Sequence, residues 1–424
     1  MAETVRLYYL FRGLSSALLF KTFLVFFYLE SGLNFAQIGI LHSVFAATVI
    51  LLEVPTGIWA DRWGRGRVMG YGALAMAFAA LGYTFLSGFW GFAFLEFLLA
   101  FGLTMTSGAD SAFLYDALKR AGQEKEYADL EGKAGFAKHV GMATSALAGG
   151  FLAEIDLSYL FPASAIVVFL AYVAIRRMDR SLPSEHTHVF QGSPVRLCEA
   201  LGQFETQKGI WWTVFYSALI FMFIRSSDTL LQPVLRANGY SYWKIGLAAA
   251  VSAMAAAVAS RHTAGMMRKF SERSLLWALP AVLIVSYALF ATGTGWVLAL
   301  LFFTNVSVQG IYSPFTKTLL NRAISRSNLR ATLLSMESSV KRMVVALMMP
   351  VVGVVVDRWG LSAGIMACVA AACVAGVVLL FTAPRRRDAV ELPDQASTSE
   401  PGAGDLPLSS PACPASRPFS SPSK

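Results

Sequence analysis

The sequence predicts an all-α polytopic membrane protein, with twelve transmembrane helices in two six-helix halves. Three observations carry that expectation. Of 424 residues, 56% are hydrophobic and only 14% charged, where soluble domains carry about a quarter. Apolar runs recur at lengths that suit a bilayer, whose core of about 30 Å takes roughly 20 apolar residues to cross. A polar stretch from Arg176 to Lys208, with Pro183, Gly192 and Pro194, divides those runs into two sets.

The first span is expected over Tyr8–Ser31, an apolar run with Lys21 near its middle. It begins within ten residues of Met1, is too long for a signal-peptide core and lacks an A-x-A-like site, so it is expected to remain as a signal anchor. The second span is expected over Phe35–Ala60. The charge-free run Val68–Leu95 turns at Ser87-Gly88, which ends a third span, Val68–Leu86, and opens a fourth, Phe89–Leu118. Lys133–Ile155 and Leu157–Ile175 complete the first half. The second half is expected to hold Trp211–Leu235, Ser241–Arg261, Ser274–Ala291, Gly295–Leu320, Ala331–Val356 and Leu361–Thr382. Ser274 to Thr316 holds no charge, and Thr292-Gly293-Thr294-Gly295 divides it into two spans. Residues 1–175 then form the first half, 176–208 a cytoplasmic linker with a short surface helix over Val195–Phe204, and 209–383 the second half. The tail, 384–424, is rich in Pro, Ser and Ala without apolar periodicity and reads as disordered.

Lysine and arginine set the orientation. Even-numbered connections carry Arg62, Arg65 and Arg67; Lys119, Arg120 and Lys125; five basic residues between Arg176 and Lys208; Arg268, Lys269 and Arg273; and Arg322, Arg326 and Arg330. Odd-numbered connections carry Arg236, Lys244 and Arg358. The positive-inside rule puts the even connections and both termini in the cytoplasm, and the membrane is read as the cell inner (plasma) membrane. The net charge of +9 is therefore an orientation signal, and nucleic-acid binding is excluded as its explanation. Cys198, Cys368, Cys373 and Cys413 form no C-x-x-C pair, so neither a metal site nor a structural disulfide is expected. No cofactor is expected either.

The halves share a weak internal repeat. Gly32-x-x-x-x-Gln37-Ile38-Gly39 answers Gly239-x-x-x-x-Lys244-Ile245-Gly246, and that register sets Lys21 opposite Asp228. Asp116 falls against Arg322, and Lys138 against Arg342.

The segment Gly57 to Arg67 packs four charges and three glycines between two apolar runs. It resembles the connection between helices 2 and 3 of the major facilitator superfamily, whose pattern runs G-x-x-x-D-R-x-G-R-[KR]. Gly57, Asp61, Arg62, Gly64 and Arg65 match it, and Glu53-Val54-Pro55-Thr56-Gly57 resembles the E-x-P-T-G variant of bacterial members. The resemblance implies a twelve-helix secondary transporter working by alternating access, with no enzymatic activity. It implies that Asp61 caps the eleventh helix near Ala331, with Glu53 close by at a cytoplasmic gate. Arg65 is expected to pair with Asp116 at the inner end of the fourth span. In the fifth span, Gly141 to Gly150 resembles the antiporter pattern G-x-x-x-G-P-x-x-G-G, with Gly149 and Gly150 in place and Ser145-Ala146 for the central Gly-Pro.

Charges inside the spans are the candidate machinery, since each costs several kcal/mol or more at the bilayer centre unless it meets water or a partner. Lys21, Asp110, Arg225, Asp228, Glu337, Lys341 and Arg342 are the candidates for substrate binding or coupling. Arg225 and Asp228, three apart, and Glu337 and Lys341, four apart, share helix faces. Glu96 reads as structural near the outer boundary. The cations favour an anionic or zwitterionic small molecule, and the helix-5 pattern favours export, coupled to protons, by a monomer in the lipid bilayer. Proton-linked uptake of a metabolite is the alternative within the class. A non-transporting receptor or enzyme is the alternative outside it, and no H-E-x-x-H or G-x-S-x-G motif supports an enzyme.

Overall fold

The computed structural model describes residues 2–107, 109–181, 208–292, 296–323 and 330–382. The helix expected over Val195–Phe204, the turn at 293–295, the tail and most of the linker lie outside the described residues. Fourteen α-helices make up the described chain, with no strand among them. In the first half these are α1 (Ala2–Ser16), α2 (Leu24–Glu30), α3 (Phe35–Trp63), α4 (Arg65–Gly82), α5 (Gly88–Thr106), α6 (Ala109–Arg120), α7 (Tyr127–Ala153) and α8 (Leu160–Ser181). The second half holds α9 (Lys208–Ala237), α10 (Tyr242–Lys269), α11 (Glu272–Thr292), α12 (Trp296–Ala323), α13 (Arg330–Trp359) and α14 (Leu361–Thr382). They form twelve passages, because α1–α2 and α5–α6 are each one passage. Nine helices among the described residues are long and apolar enough to cross a membrane. Of the remaining passages, the first is broken, the third opens on Arg65 and Arg67, and the fifth carries Asp129, Glu131, Lys133 and Lys138.

The break in the first passage corrects the continuous helix expected over Tyr8–Ser31. Residues 17–23 leave the α-helix and take tight turns, with Lys21 N donating to Leu18 O at 3.1 Å and Phe23 N to Phe20 O at 2.8 Å. Backbone donors freed inside a bilayer need other acceptors. Ser164 of α8 supplies one: its Oγ accepts from Leu19 N at 2.9 Å and from Phe20 N at 3.4 Å. In the fourth passage α5 is described to Thr106 and α6 from Ala109, and residue 108 lies outside the described residues; at the start of α6, Asp110 Oδ1 accepts from Ser111 N.

The segment Gly57 to Arg67 is a sharper corner than a connecting loop. Helix α3 continues through Asp61, Arg62 and Trp63, and α4 starts at Arg65, so Gly64 alone turns the chain. Its φ of 94° is one that glycine reaches without a Cβ clash. At the opposite end of α3, Asn34 accepts from Gln37 N while the Gln37 side chain accepts from Asn34 N, a capping box.

The halves meet along two antiparallel seams, α3 against α13 and α7 against α10. Both are tightest at the end bearing Phe35, Trp243 and Trp359, termed here the cap end. A Cβ on Gly39 would lie 2.5 Å from the Met349 carbonyl oxygen, and one on Gly246 would lie 2.5 Å from that of Ala146. These are the two glycines that the internal repeat pairs. Ser43 Oγ donates to Ala346 O at 2.6 Å across the first seam. Each seam also carries a carboxylate at a helix N-terminus. Asp357, at the end of α13, accepts from Phe35 N at 2.9 Å and Ala36 N at 2.8 Å. Glu154, just after α7, accepts from Trp243 N at 3.0 Å. Such termini present free N–H groups and a positive dipole end. Tyr242 adds a bond to Glu30 at 2.9 Å.

Candidate functional site

Two adjoining cavities lie between the halves, of about 250 Å³ and about 120 Å³. Each is smaller than the ~300–1,000 Å³ usual for ligand pockets, and only together do they reach its lower limit. Lys21, Arg225, Asp228 and Gln309 line both and so form the wall between them. The larger adds His42, Glu96 and Arg342, with apolar side chains that include Phe45, Met76, Leu99 and Phe221. The smaller adds Ser16, Thr22, His139, Ser145 and Gln232.

The unwound stretch of the first passage puts Lys21 at this wall. Lys21 lies within electrostatic reach of Asp228 and Arg225, opposite the partner that the repeat register assigns it. It makes no hydrogen bond or ion pair among the described residues. Arg225 and Asp228 pair with each other on one face of α9, Nη1 to Oδ2 at 2.9 Å. Discontinuous helices at a midplane site between repeats are a recurring device in transporters, because they bring backbone and charge to the substrate.

Other candidates are placed differently. Arg342 lines the larger cavity; its Nε has no hydrogen-bond partner, and Glu53 is the opposing charge within reach. Glu337 is 5% exposed and off the cavity wall; it accepts from Ser217 and pairs with Lys341 at 2.7 Å. Asp110 also lies off the wall. It forms an ion pair with Arg12 of α1, beside Glu131, at the α6 N-terminus. Arg12, close to the start of the chain, was not singled out in the sequence.

Glu96 corrects the reading of it as a boundary residue. It is 2% exposed and lines the larger cavity, accepting from the Tyr28 hydroxyl at 2.7 Å. The Tyr28 and Tyr83 hydroxyls bond each other at 2.7 Å. His42 also lines the larger cavity; its Nε2 lies 3.1 Å from Thr229 Oγ1, which joins α3 to α9 across the halves. An acid in an otherwise charge-free run, as Glu96 is between Val68 and Asp110, was the available signal.

At the Gly64 corner, Arg65 pairs with Asp116 at 2.7 Å and reaches Asp61 at 3.5 Å. The cap from Asp61 to the eleventh helix falls on side chains and a connection outside the described residues, around 324–332. Arg62 is exposed, and Gly57 has open space around it. The three glycines of the antiporter-like pattern serve close packing. Gly141 abuts the Gly13 carbonyl, Gly149 lies against the Leu19 carbonyl in the unwound stretch, and Gly150 faces Tyr242 and Trp243 of α10. No group of three metal-ligating side chains occurs among the described residues.

The family model described as Major Facilitator Superfamily matches residues 7–340. The chain belongs to that superfamily. Its fold is shared by solved structures of other members. A variant of the nucleoside transporter NupG is 14% identical over 90% of this chain and 100% of its own, with a TM-score of 0.78. A bacterial homologue of the human lysosomal transporter Spinster, inward-facing and unoccupied, is 16% identical over 92% and 96%, with a TM-score of 0.69. A variant of the peptide transporter POT in complex with sulfate is 14% identical over 92% and 95%, with a TM-score of 0.74. At these identities the likeness is one of fold. No curated protein sequence matches the chain significantly. As a major facilitator superfamily protein it is a multi-pass secondary transporter of small molecules and not an enzyme.

Proposed function

We propose that the protein exports a small organic anion or zwitterion in exchange for protons. It would act as a monomer in the inner membrane with both termini in the cytoplasm and the cap end outside. The juxtaposition of Lys21 with the Arg225–Asp228 pair, on the wall shared by both cavities, supports this reading most strongly. Lys21 and Arg225 hold the acidic group of the substrate. Asp228 competes with that group for the same two cations, and takes up a proton once substrate has left, so that substrate and proton occupy the carrier in turn. Competition for shared partners couples the two events without contact between substrate and proton. Asp61, Arg62, Gly64, Arg65, Asp116 and Glu53 act at the cytoplasmic gate. The cap-end contacts through Asp357 and Glu154 hold the inward-facing state.

Proteoliposomes with an imposed pH gradient test the reading. Lys21→Met should abolish transport of organic anions while leaving expression intact. Asp228→Asn should keep binding but lose dependence on the pH gradient. Gradient-dependent transport at wild-type rates in both variants would overturn the coupling model.

A further inference from the structure

We propose that the molecule carried is an aryl-bearing organic monoanion. Its anionic head would lie between Lys21 and Arg225, and its ring in the apolar lobe of the larger cavity. This rests on the reading of the shared wall as the substrate site.

The charge of the head follows from which cavity groups lack partners. Arg225 is matched by Asp228 at 2.9 Å. Glu53 lies within electrostatic reach of Arg342. The Glu96 carboxylate is held by the Tyr28 hydroxyl. Lys21 is left without a matched carboxylate and is exposed to the cavity, so its ammonium is open to a ligand from either lobe. One anionic group satisfies it, with the Arg225 guanidinium as a second donor; a cationic ligand would worsen the imbalance.

The rest of the molecule is constrained by the lobe beyond the wall. Phe45, Met76, Leu99, Leu103 and Phe221 reach it from α3, α4, α5 and α9. His42, Glu96 and Arg342 also line this cavity, but against the five apolar side chains a sugar or a hydrophilic dicarboxylate would leave polar groups unbonded, which is unfavourable. A flat ring fills such a space well, since phenylalanine rings and a thioether pack favourably against aromatic faces and edges. The volume of about 250 Å³ suits one ring on a short chain and excludes a long acyl tail. The smaller cavity gives the head its polar surroundings: Ser16, Thr22, His139, Ser145 and Gln232 line it, and Gln232 Oε1 and His139 Nδ1 are without hydrogen-bond partners.

Thermal stabilisation of the detergent-purified protein tests this with four probes: 3-phenylpropionate, propionate, succinate and phenethylamine. The expected result is stabilisation by 3-phenylpropionate at concentrations about tenfold or more below those needed with propionate. Succinate and phenethylamine should give none. Lys21→Met in the same detergent should lose the response to both monocarboxylates, which separates binding from partition into micelles. Phe45→Ala should bring the two monocarboxylates to equal potency. The wild-type series alone decides the matter if that variant fails to fold. Equal potency in the wild type would overturn the aryl lobe while leaving the anion site standing. Stabilisation by phenethylamine alone, or by no probe, would overturn both.

Discussion

Ser164 carries more than its size suggests. Fully buried in α8, it accepts from two backbone amides of the unwound stretch while donating to Leu160 O at 2.7 Å. Without it Leu19 and Phe20 would present N–H groups to an apolar interior, at a cost of about 1–3 kcal/mol for each unsatisfied donor. Ser164→Ala should therefore lower the melting temperature and weaken ligand binding at Lys21 together, as the stretch rewinds or loosens. An unchanged melting curve with unchanged binding would show that the break holds itself. Lys21 was legible in the sequence as a charge that an apolar span does not tolerate without purpose. The break around it was not, because residues 17–23 contain neither glycine nor proline and the acceptor that permits it comes from more than 140 positions away. Glu96 was misplaced for a related reason. Hydropathy gives depth only from the span boundary, whereas Glu96 stands more than two turns into α5, which starts at Gly88, and there its carboxylate lines the cavity.

At the level of elements, the two seams are closed by the same device used twice. Each takes a carboxylate from the end of one helix and the N-terminus of a helix in the other half. Charge at a helix terminus contributes roughly 0.3–2 kcal/mol. Asp357→Asn should shift the balance between closed and open cap ends by up to about thirtyfold, 1.4 kcal/mol being a factor of ten. Glu154→Gln should do the same on the other seam. The double variant should be additive, because the groups lie on separate seams. Distance distributions between spin labels at Ser31 and Trp359 would measure this; identical distributions in wild type and double variant would show that the caps are incidental to closure. The spans themselves were legible, since twelve runs of hydropathy need no tertiary information, and Leu361–Thr382 was placed to the residue. The seams were half legible: the repeat flagged Gly39 and Gly246 as equivalent, and the structure makes both of them sites of close backbone approach between the halves. Asp357 went unread, although Asp357-Arg358-Trp359-Gly360 repeats Asp61-Arg62-Trp63-Gly64. The repetition lies outside the register that relates the halves, so a comparison of halves passes over it.

The whole molecule has a polarity that a topology experiment can check. Twelve passages with basic even-numbered connections put a reporter fused after Thr382 in the cytoplasm, together with one inserted near Gln191. A periplasmic signal at either site would invert the assignment of cap end and gate. The gap-free contacts at Gly39 and Gly246 have a further bearing on the membrane around the protein. Where carbonyl and glycine backbone touch directly, no file of water fits between the helices. Hydronium moves along such files far faster than any carrier turns over. Under the proposed exchange, the tight cap end is thus what separates exchange from leak: an unloaded carrier waiting with its cavity open on one side would not short-circuit the proton gradient. A bulkier residue at position 39 or 246 would show its effect first as slippage, a membrane that discharges at rest in cells whose transporter still folds and still binds.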